Sequence, residues 1–218
     1  MKTNNKIQQN FYGSNFFLVR VPWLAHKAYG IARDNWLATL EAPRHKCILD
    51  IGCSDGSVLQ SWSNTNTIVG LDCEPSVLML ARQNGLFPLL GDMNELPFAK
   101  KKFDIVCAFS ILGINGPPEY DISRFSRVLK QDGRLLLSVA VLGGVRYLTR
   151  SIVTLLRVRN QMKMIPRLNR LEQALYTTGF DNVKLTTCSL VPSQKLYSKP
   201  GCIARNMATY AFIDARKH

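Results

Sequence analysis

The chain has 218 residues, and at about 150 residues per domain this predicts one domain with a cap or an insertion. It is 46% hydrophobic and 20% charged, an ordinary globular balance that excludes collagen, coiled coil and long disorder. Lys and Arg number 28 against 15 Asp and Glu, a net charge of +13. The excess is uneven: residues 1–46 carry +5, residues 47–140 carry −2 and residues 141–218 carry +10. Basic flanks on a near-neutral middle point to an anionic partner without saying whether it is nucleic acid, a membrane surface or a small acid.

No apolar run reaches the roughly 18 residues of a membrane span. The first ten residues, MKTNNKIQQN, are polar and lack the apolar core of a signal peptide, so a cytoplasmic protein is expected. The six cysteines form no C-x-x-C pair and the three histidines are scattered, so neither a disulfide framework nor a metal site is expected.

In chain order, a helical pattern runs from about Leu24 to Leu40. Lys46–Ile51 is a short apolar run that stops at a glycine turn, the mark of a buried strand. A helix is expected over Gly56–Trp62, a second strand over Thr67–Leu71, and a helix from Pro75 to about Asn84. Strands follow at Phe87–Leu90 and Phe103–Ala108. The Pro117-Pro118 pair opens a helix whose Ile122, Phe125, Val128 and Leu129 share a face. Asp132-Gly133 turns the chain into a fifth strand, Arg134–Val139. Strands alternating with helices predict an α/β fold, a doubly wound and mostly parallel sheet with helices on both faces.

Beyond Val141 the rhythm changes. Between residues 141 and 170 stand seven basic residues and no acidic one. Over 143–165, Arg146, Arg150, Thr154 and Arg157 share one helical face, with Val145, Leu148, Ile152, Leu155 and Leu156 on the other. This pattern fits a lid over an apolar pocket. It also fits an interfacial helix on an anionic membrane or a nucleic-acid contact. A helix over Arg167–Thr178 closes at Gly179, and Val183–Cys188 and Met207–Ile213 read as the last two strands, joined by a loop with Pro192, Pro200 and Gly201.

The sharpest signal is Asp50-Ile-Gly-Cys-Ser-Asp-Gly56, between a strand and an expected helix. Glycine at 52 permits a tight turn and a close ligand, and a helix N-terminus would offer free amides. Asp72 falls twenty residues after Gly52 at the end of the second strand, where doubly wound folds hold ribose hydroxyls. Neither G-x-G-x-x-G nor a Walker-type G-K-[ST] is present.

The ordered set Asp50/Gly52/Gly56, Leu71-Asp72/Pro75, Gly91-Asp92/Leu96-Pro97-Phe98, Phe103-Asp104-Ile105-Val106 and Arg127–Leu137 resembles class I S-adenosylmethionine-dependent methyltransferases. The likeness covers residues 46–140. It implies a Rossmann-like seven-stranded sheet with a C-terminal antiparallel strand. The chain thus reads as one domain in four parts: a helical cap (1–45), a cofactor core (46–140), a basic amphipathic lid insertion (141–170) and a closing helix with a strand pair (171–218). The implied cofactor is S-adenosyl-L-methionine, the product S-adenosyl-L-homocysteine. By the resemblance Asp50, Gly52, Cys53, Ser54 and Gly56 carry the methionine end, and Asp72 accepts the ribose hydroxyls. Cys73 lines the adenine, Asp92 accepts from its amine, and Met93 offers an amide to the ring. Phe109 and Ser110 line the methyl-transfer channel.

Two departures stand out: many relatives have glycine at the place of Ser54 and a small residue at that of Asp55, and many carry His where Gly113 stands. Aligned methyl transfer to a deprotonated acceptor needs no base, and no catalytic residue is assigned. Tyr12, His26, Tyr29, Tyr120 and Tyr147 lie in segments that could cap the site. A small apolar or anionic acceptor is the leading expectation. RNA or protein methylation through the basic flanks, and a silent cofactor-binding regulator, are the alternatives. The oligomeric state is not legible.

Overall fold

The computed structural model describes residues 23–113, 117–141, 167–188, 196–198 and 208–218. The basic segment 143–165, with its lid and membrane alternatives, lies outside the described residues, as do Tyr12 and Tyr147.

Eight strands form one sheet: β1 (Cys47–Ile51), β2 (Thr67–Asp72), β3 (Phe87–Leu90), β4 (Phe103–Phe109), β5 (Leu129–Ala140), β6 (Phe180–Cys188), β7 (Leu196–Ser198) and β8 (Tyr210–Lys217). Their order across the sheet is β3-β2-β1-β4-β5-β8-β6-β7. β1 to β5 run parallel; β8 runs antiparallel between β5 and β6. The seven expected strands are all present. The eighth, β7, adds three residues to the edge of β6 inside the expected loop, too short to show any alternation in sequence.

The described helices are α1 (Trp23–Ala38), α2 (Gln60–Ser63), α3 (Pro75–Gln83), α4 (Pro118–Val128) and α5 (Leu168–Thr177). None of them is long and apolar enough to cross a membrane. The sheet is covered on both faces, as a parallel sheet must be. One face packs Ile122, Phe125 and Val128 of α4 and Leu171, Ala174 and Leu175 of α5 onto Leu49, Val106 and Leu137. The other packs Tyr29, Ala32 and Trp36 of α1, with Trp62 and Ala81, onto Ile48, Cys107, Leu136 and Phe212.

Local chemistry explains the boundaries. Pro75 and Pro118 each open a helix at its first turn, where a missing amide costs nothing. The Glu74 side chain caps α3 by accepting the Ser76 amide, and Gly179 (φ +87) ends the chain leaving α5. β5 starts earlier than its sequence pattern, at Leu129. Asp132 (φ +57) and Gly133 then form an irregularity within it, where a side chain at 133 would meet the Lys130 carbonyl at 2.8 Å. β8 starts three residues and ends four residues later than expected, and Arg134 of β5 pairs with its Asp214 at 2.7 and 3.0 Å. That pair lets a carboxylate sit inside the strand.

The helix expected over Gly56–Trp62 is reduced to the single turn of α2. Ser54 is left-handed (φ +51), and Asp55 draws the Ser57 amide (3.1 Å) and hydroxyl (2.7 Å) onto its own carboxylate. Such side-chain capture competes with helical bonding.

Candidate functional site

The conserved geometry of a parallel sheet gathers the C-terminal ends of β1, β2, β3 and β4 along one edge, and loops there are where doubly wound folds hold ligands. Asp50, Asp72, Asp92 and Ser110 lie at or just past those four ends.

The loop after β1 is held from beneath. The amides of Gly52 and Cys53 both donate to the Leu71 carbonyl, at 2.7 and 3.1 Å. The Ser54 amide donates to Asp72 Oδ2 at 2.8 Å, and Oδ1 accepts the Glu74 amide at 3.0 Å. A carboxylate takes about four hydrogen bonds, so Asp72 keeps capacity for two more. Gly52 has φ +69, and a Cβ there would stand 2.7 Å from Ile111 Cγ2. Gly56 has φ +75, and a Cβ there would stand 3.1 Å from Ala81 Cα and from Leu86.

Asp50 is the buried acid of the site. It is 2% exposed, and its Oδ2 has no hydrogen-bond partner. Burial pushes its carboxyl up to about 8, with Asp72 pushing the same way and Arg33 opposing. The Ser110 hydroxyl is also buried, and the Tyr29 hydroxyl lies within its reach. Ser110 is left-handed (φ +60), its amide tied to the Ser138 carbonyl at 2.8 Å. An unpartnered carboxylate oxygen at the mouth of a glycine turn is what a polar ligand would satisfy.

The remaining predicted residues are placed as follows. The Gly91 amide donates to the Asp72 carbonyl at 3.0 Å, so Asp92 stands beside the Asp72 strand end. Asp92 is exposed, and its Oδ1 accepts the amide and the side-chain nitrogen of Asn94, both at 2.8 Å. Cys73 is exposed, while Met93 and Phe109 are half-buried against the two halves of the core. The Cys53 thiol is turned into the core, where Gly70 leaves room for it, and burial pushes it well up. Cys53 therefore meets the site with backbone alone. Asp104 accepts the Cys47 amide (2.9 Å) and Lys130 Nζ (2.8 Å), which ties β4 to β1 and β5. Arg127 holds the loop after β3 through the carbonyls of Leu96 and Phe98, at 2.9 and 3.0 Å.

Sequence reading passed over Arg33 and Ser138, and gave Tyr29 no partner. Tyr29 is buried, its hydroxyl 2.5 Å from Ser138 Oγ, with Ser110 also drawing on it. The available signal was the i, i+3, i+7 spacing of Tyr29, Ala32 and Trp36, which fixes the face of α1 that meets the sheet. Of the other capping candidates, Tyr120 is 64% exposed, and only the backbone of His26 is described.

Residues 49–137 match the family model described as "Methyltransferase domain". Over that segment the chain is similar to methyltransferase domains. The sheet and its helices match a SAM-dependent methyltransferase of Thermotoga maritima over 99% of this chain and 96% of that one, at 17% identity and TM-score 0.68. They match magnesium protoporphyrin IX methyltransferase of Synechocystis PCC 6803, solved with bound SAH, over 100% and 95%, at 16% identity and TM-score 0.66. In sequence, the malonyl-[acyl-carrier protein] O-methyltransferase of Herminiimonas arsenicoxydans is 29% identical over 142 residues, 63% of this chain and 54% of that protein. The chain spans about half the length of the curated relatives it matches in sequence. The unpartnered Asp50 oxygen beside the Gly52 turn leaves room for a polar ligand end of the kind that SAH presents in the Synechocystis neighbour.

Proposed function

We propose that the protein transfers a methyl group from S-adenosylmethionine to a small apolar or anionic acceptor. The observation that carries this reading is the tie between the Ser54 amide and Asp72, which holds a left-handed glycine loop beside the unpartnered oxygen of Asp50.

In this reading the Gly52–Gly56 loop passes under the methionine end, with Cys53 and Ser54 contributing backbone. Asp50 receives the ammonium, and Asp72 the ribose hydroxyls through the capacity its loop bonds leave. Asp92 and Met93 meet the adenine edge and Cys73 its face. Phe109 and Ser110 line the channel to the acceptor. Bound there, the cofactor supplies a methyl group on a sulfonium, an electrophile open to in-line displacement. The residues around it align the acceptor and exclude water, which is most of what such a transfer requires. An acceptor that arrives deprotonated needs no base.

The net charge of +13 favours anionic acceptors in the encounter. The likeness to a malonyl-carrier O-methyltransferase makes a carboxylate oxygen the first acceptor to test. The protein is to be incubated with methyl-labelled S-adenosylmethionine and a panel of aliphatic carboxylic acids, free and as thioesters. Label on an acid, with stoichiometric S-adenosylhomocysteine, is the expected result. Label on RNA or protein alone would replace the small-acceptor reading.

A further inference from the structure

The near-neutral charge of residues 47–140 hides a separation along the strands. Asp50, Asp55, Asp72, Glu74 and Asp92 stand at or just past the C-terminal ends of β1, β2 and β3. Lysines gather at the opposite edge of the sheet. Lys46 precedes β1, Lys100, Lys101 and Lys102 precede β4, and Lys130 is the second residue of β5. β8 runs antiparallel to β5, so its last residue, Lys217, reaches that edge too. β4 has seven residues, which at about 3.3 Å each sets the two edges about 20 Å apart.

These cations are neighbours in space. The charges of Lys46 and Lys130 both act on Asp104, those of Lys102 and Lys130 on Cys47, and that of Lys101 on Lys217. Of the acids on the strand ends here, Asp104 is paired with Lys130 at 2.8 Å and Asp181 lies 3.3 Å from His218, while Asp132 is exposed. Lys46, Lys100, Lys101 and Lys102 are exposed and make no ion pair among the described residues. Beside them lies an open cleft of about 550 Å³, walled by His45, Lys46 and residues 64–67. The side chains of His45, Asn64 and Thr67 on its walls have no hydrogen-bond partner among the described residues. None of the exposed large apolar side chains among the described residues lies on 44–47, 64–67, 100–104 or 130–132, so this surface has nothing to insert into a bilayer.

We infer that this N-terminal edge of the sheet is a docking surface for RNA, with the lysines on its phosphates and His45, Asn64 and Thr67 on its sugars. Lysines clustered on one face, in polar rather than apolar surroundings, match the charge of a phosphodiester backbone. Ribose adds a 2′-hydroxyl, donor and acceptor at once, which unpaired imidazole, amide and hydroxyl groups can meet and which DNA lacks. The acids at the other edge repel the same backbone, so a docked strand is held away from Asp50 and Asp72. RNA bound here is a platform for the protein rather than its methyl acceptor, and the inference stands independently of the acceptor proposed above.

The test follows the fluorescence anisotropy of a labelled single-stranded RNA of about 20 nucleotides on the full chain, over about 50–200 mM salt. The wild type should bind with a steep salt dependence, and about threefold or more tighter than to DNA of the same sequence. A variant carrying Lys46→Gln, Lys100→Gln, Lys101→Gln and Lys102→Gln together should bind RNA about tenfold or more weaker at low salt. Its slope of log affinity against log salt should be shallower by about 2 or more. Arginine at the same four positions should keep the binding. S-adenosylhomocysteine affinity and the thermal melt of the glutamine variant should match the wild type, because none of the four side chains belongs to the cofactor edge. A second variant, with Arg146→Gln, Arg150→Gln and Arg157→Gln, controls for the basic segment 143–165. RNA affinity lost in that variant and kept in the lysine one would overturn the inference. So would equal affinity for DNA, a preference for vesicles of phosphatidylserine and phosphatidylcholine over RNA, or a wild type that binds no RNA.

Discussion

Asp72, at the end of β2, accepts the amide of Ser54 from the loop after β1 at 2.8 Å. One carboxylate therefore sets the shape of the glycine loop and, in the proposed function, also holds the ribose. The two functions should fail together. Asp72→Ala should weaken S-adenosylhomocysteine binding by about 1.5–3 kcal/mol, the range for a lost charged hydrogen bond, and should also lower the melting temperature of the ligand-free protein. Asp72→Asn keeps one acceptor oxygen and should fall between. Calorimetry and thermal melts read both effects. Unchanged affinity in a folded Asp72→Ala protein would remove Asp72 from the ribose site.

Gly52→Val should abolish cofactor binding. The position needs φ +69, which costs a side chain about 1–2 kcal/mol, and a Cβ there would sit 2.7 Å from Ile111. The valine would push the Ile111 turn outward and fill the ground over the loop. The remainder of the sheet should still melt cooperatively, which circular dichroism checks.

Ser54→Gly tests the departure at that position. Ser54 is held at φ +51, a conformation glycine adopts without strain. The amide bond to Asp72 survives the change. The variant should be unchanged or more stable by up to about 1 kcal/mol, with cofactor affinity retained. Chemical denaturation measures it, and a loss of more than about 1 kcal/mol would mean the serine side chain holds the loop.

Asp50 makes binding and stability depend on pH in opposite directions. Its folded carboxyl, at about 8, lies far above the usual value of about 3.9. The ligand-free protein should therefore lose stability as pH rises from about 4 toward 8, because the folded state resists ionising a group the unfolded chain ionises freely. A bound ammonium needs the ionised form, so cofactor affinity should rise over pH 6 to 7.5 with release of a proton. Titrations in buffers of different ionisation enthalpy detect that proton. Asp50→Asn should flatten both profiles.

Much of this was legible in sequence because the signals were local. The strand runs at Cys47–Ile51 and Phe103–Ala108 are buried and continuous, and Pro75, Pro118 and Gly179 mark boundaries by their backbone chemistry. The failures are places where a distant partner decides. The helix after Gly56 shrinks to one turn because Asp55 captures Ser57. β8 runs on to Lys217, with Asp214 inside it paired diagonally to Arg134 of β5. Cys53 reads as a site residue by position, yet its thiol fills the space over Gly70. Tyr29, Arg33 and Asp50 share a face only once α1 has docked across β5 and β8, which no spacing within either segment reveals.

The central claim is that the ends of β1 to β4 form an S-adenosylmethionine site. Isothermal titration of the full chain with S-adenosylhomocysteine, beside Gly52→Val under the same conditions, tests it most directly. The account predicts saturable binding at one site per chain in the wild type, and none in a Gly52→Val protein that still melts cooperatively. A wild type that takes up no ligand, or a Gly52→Val variant that binds as the wild type does, would contradict it.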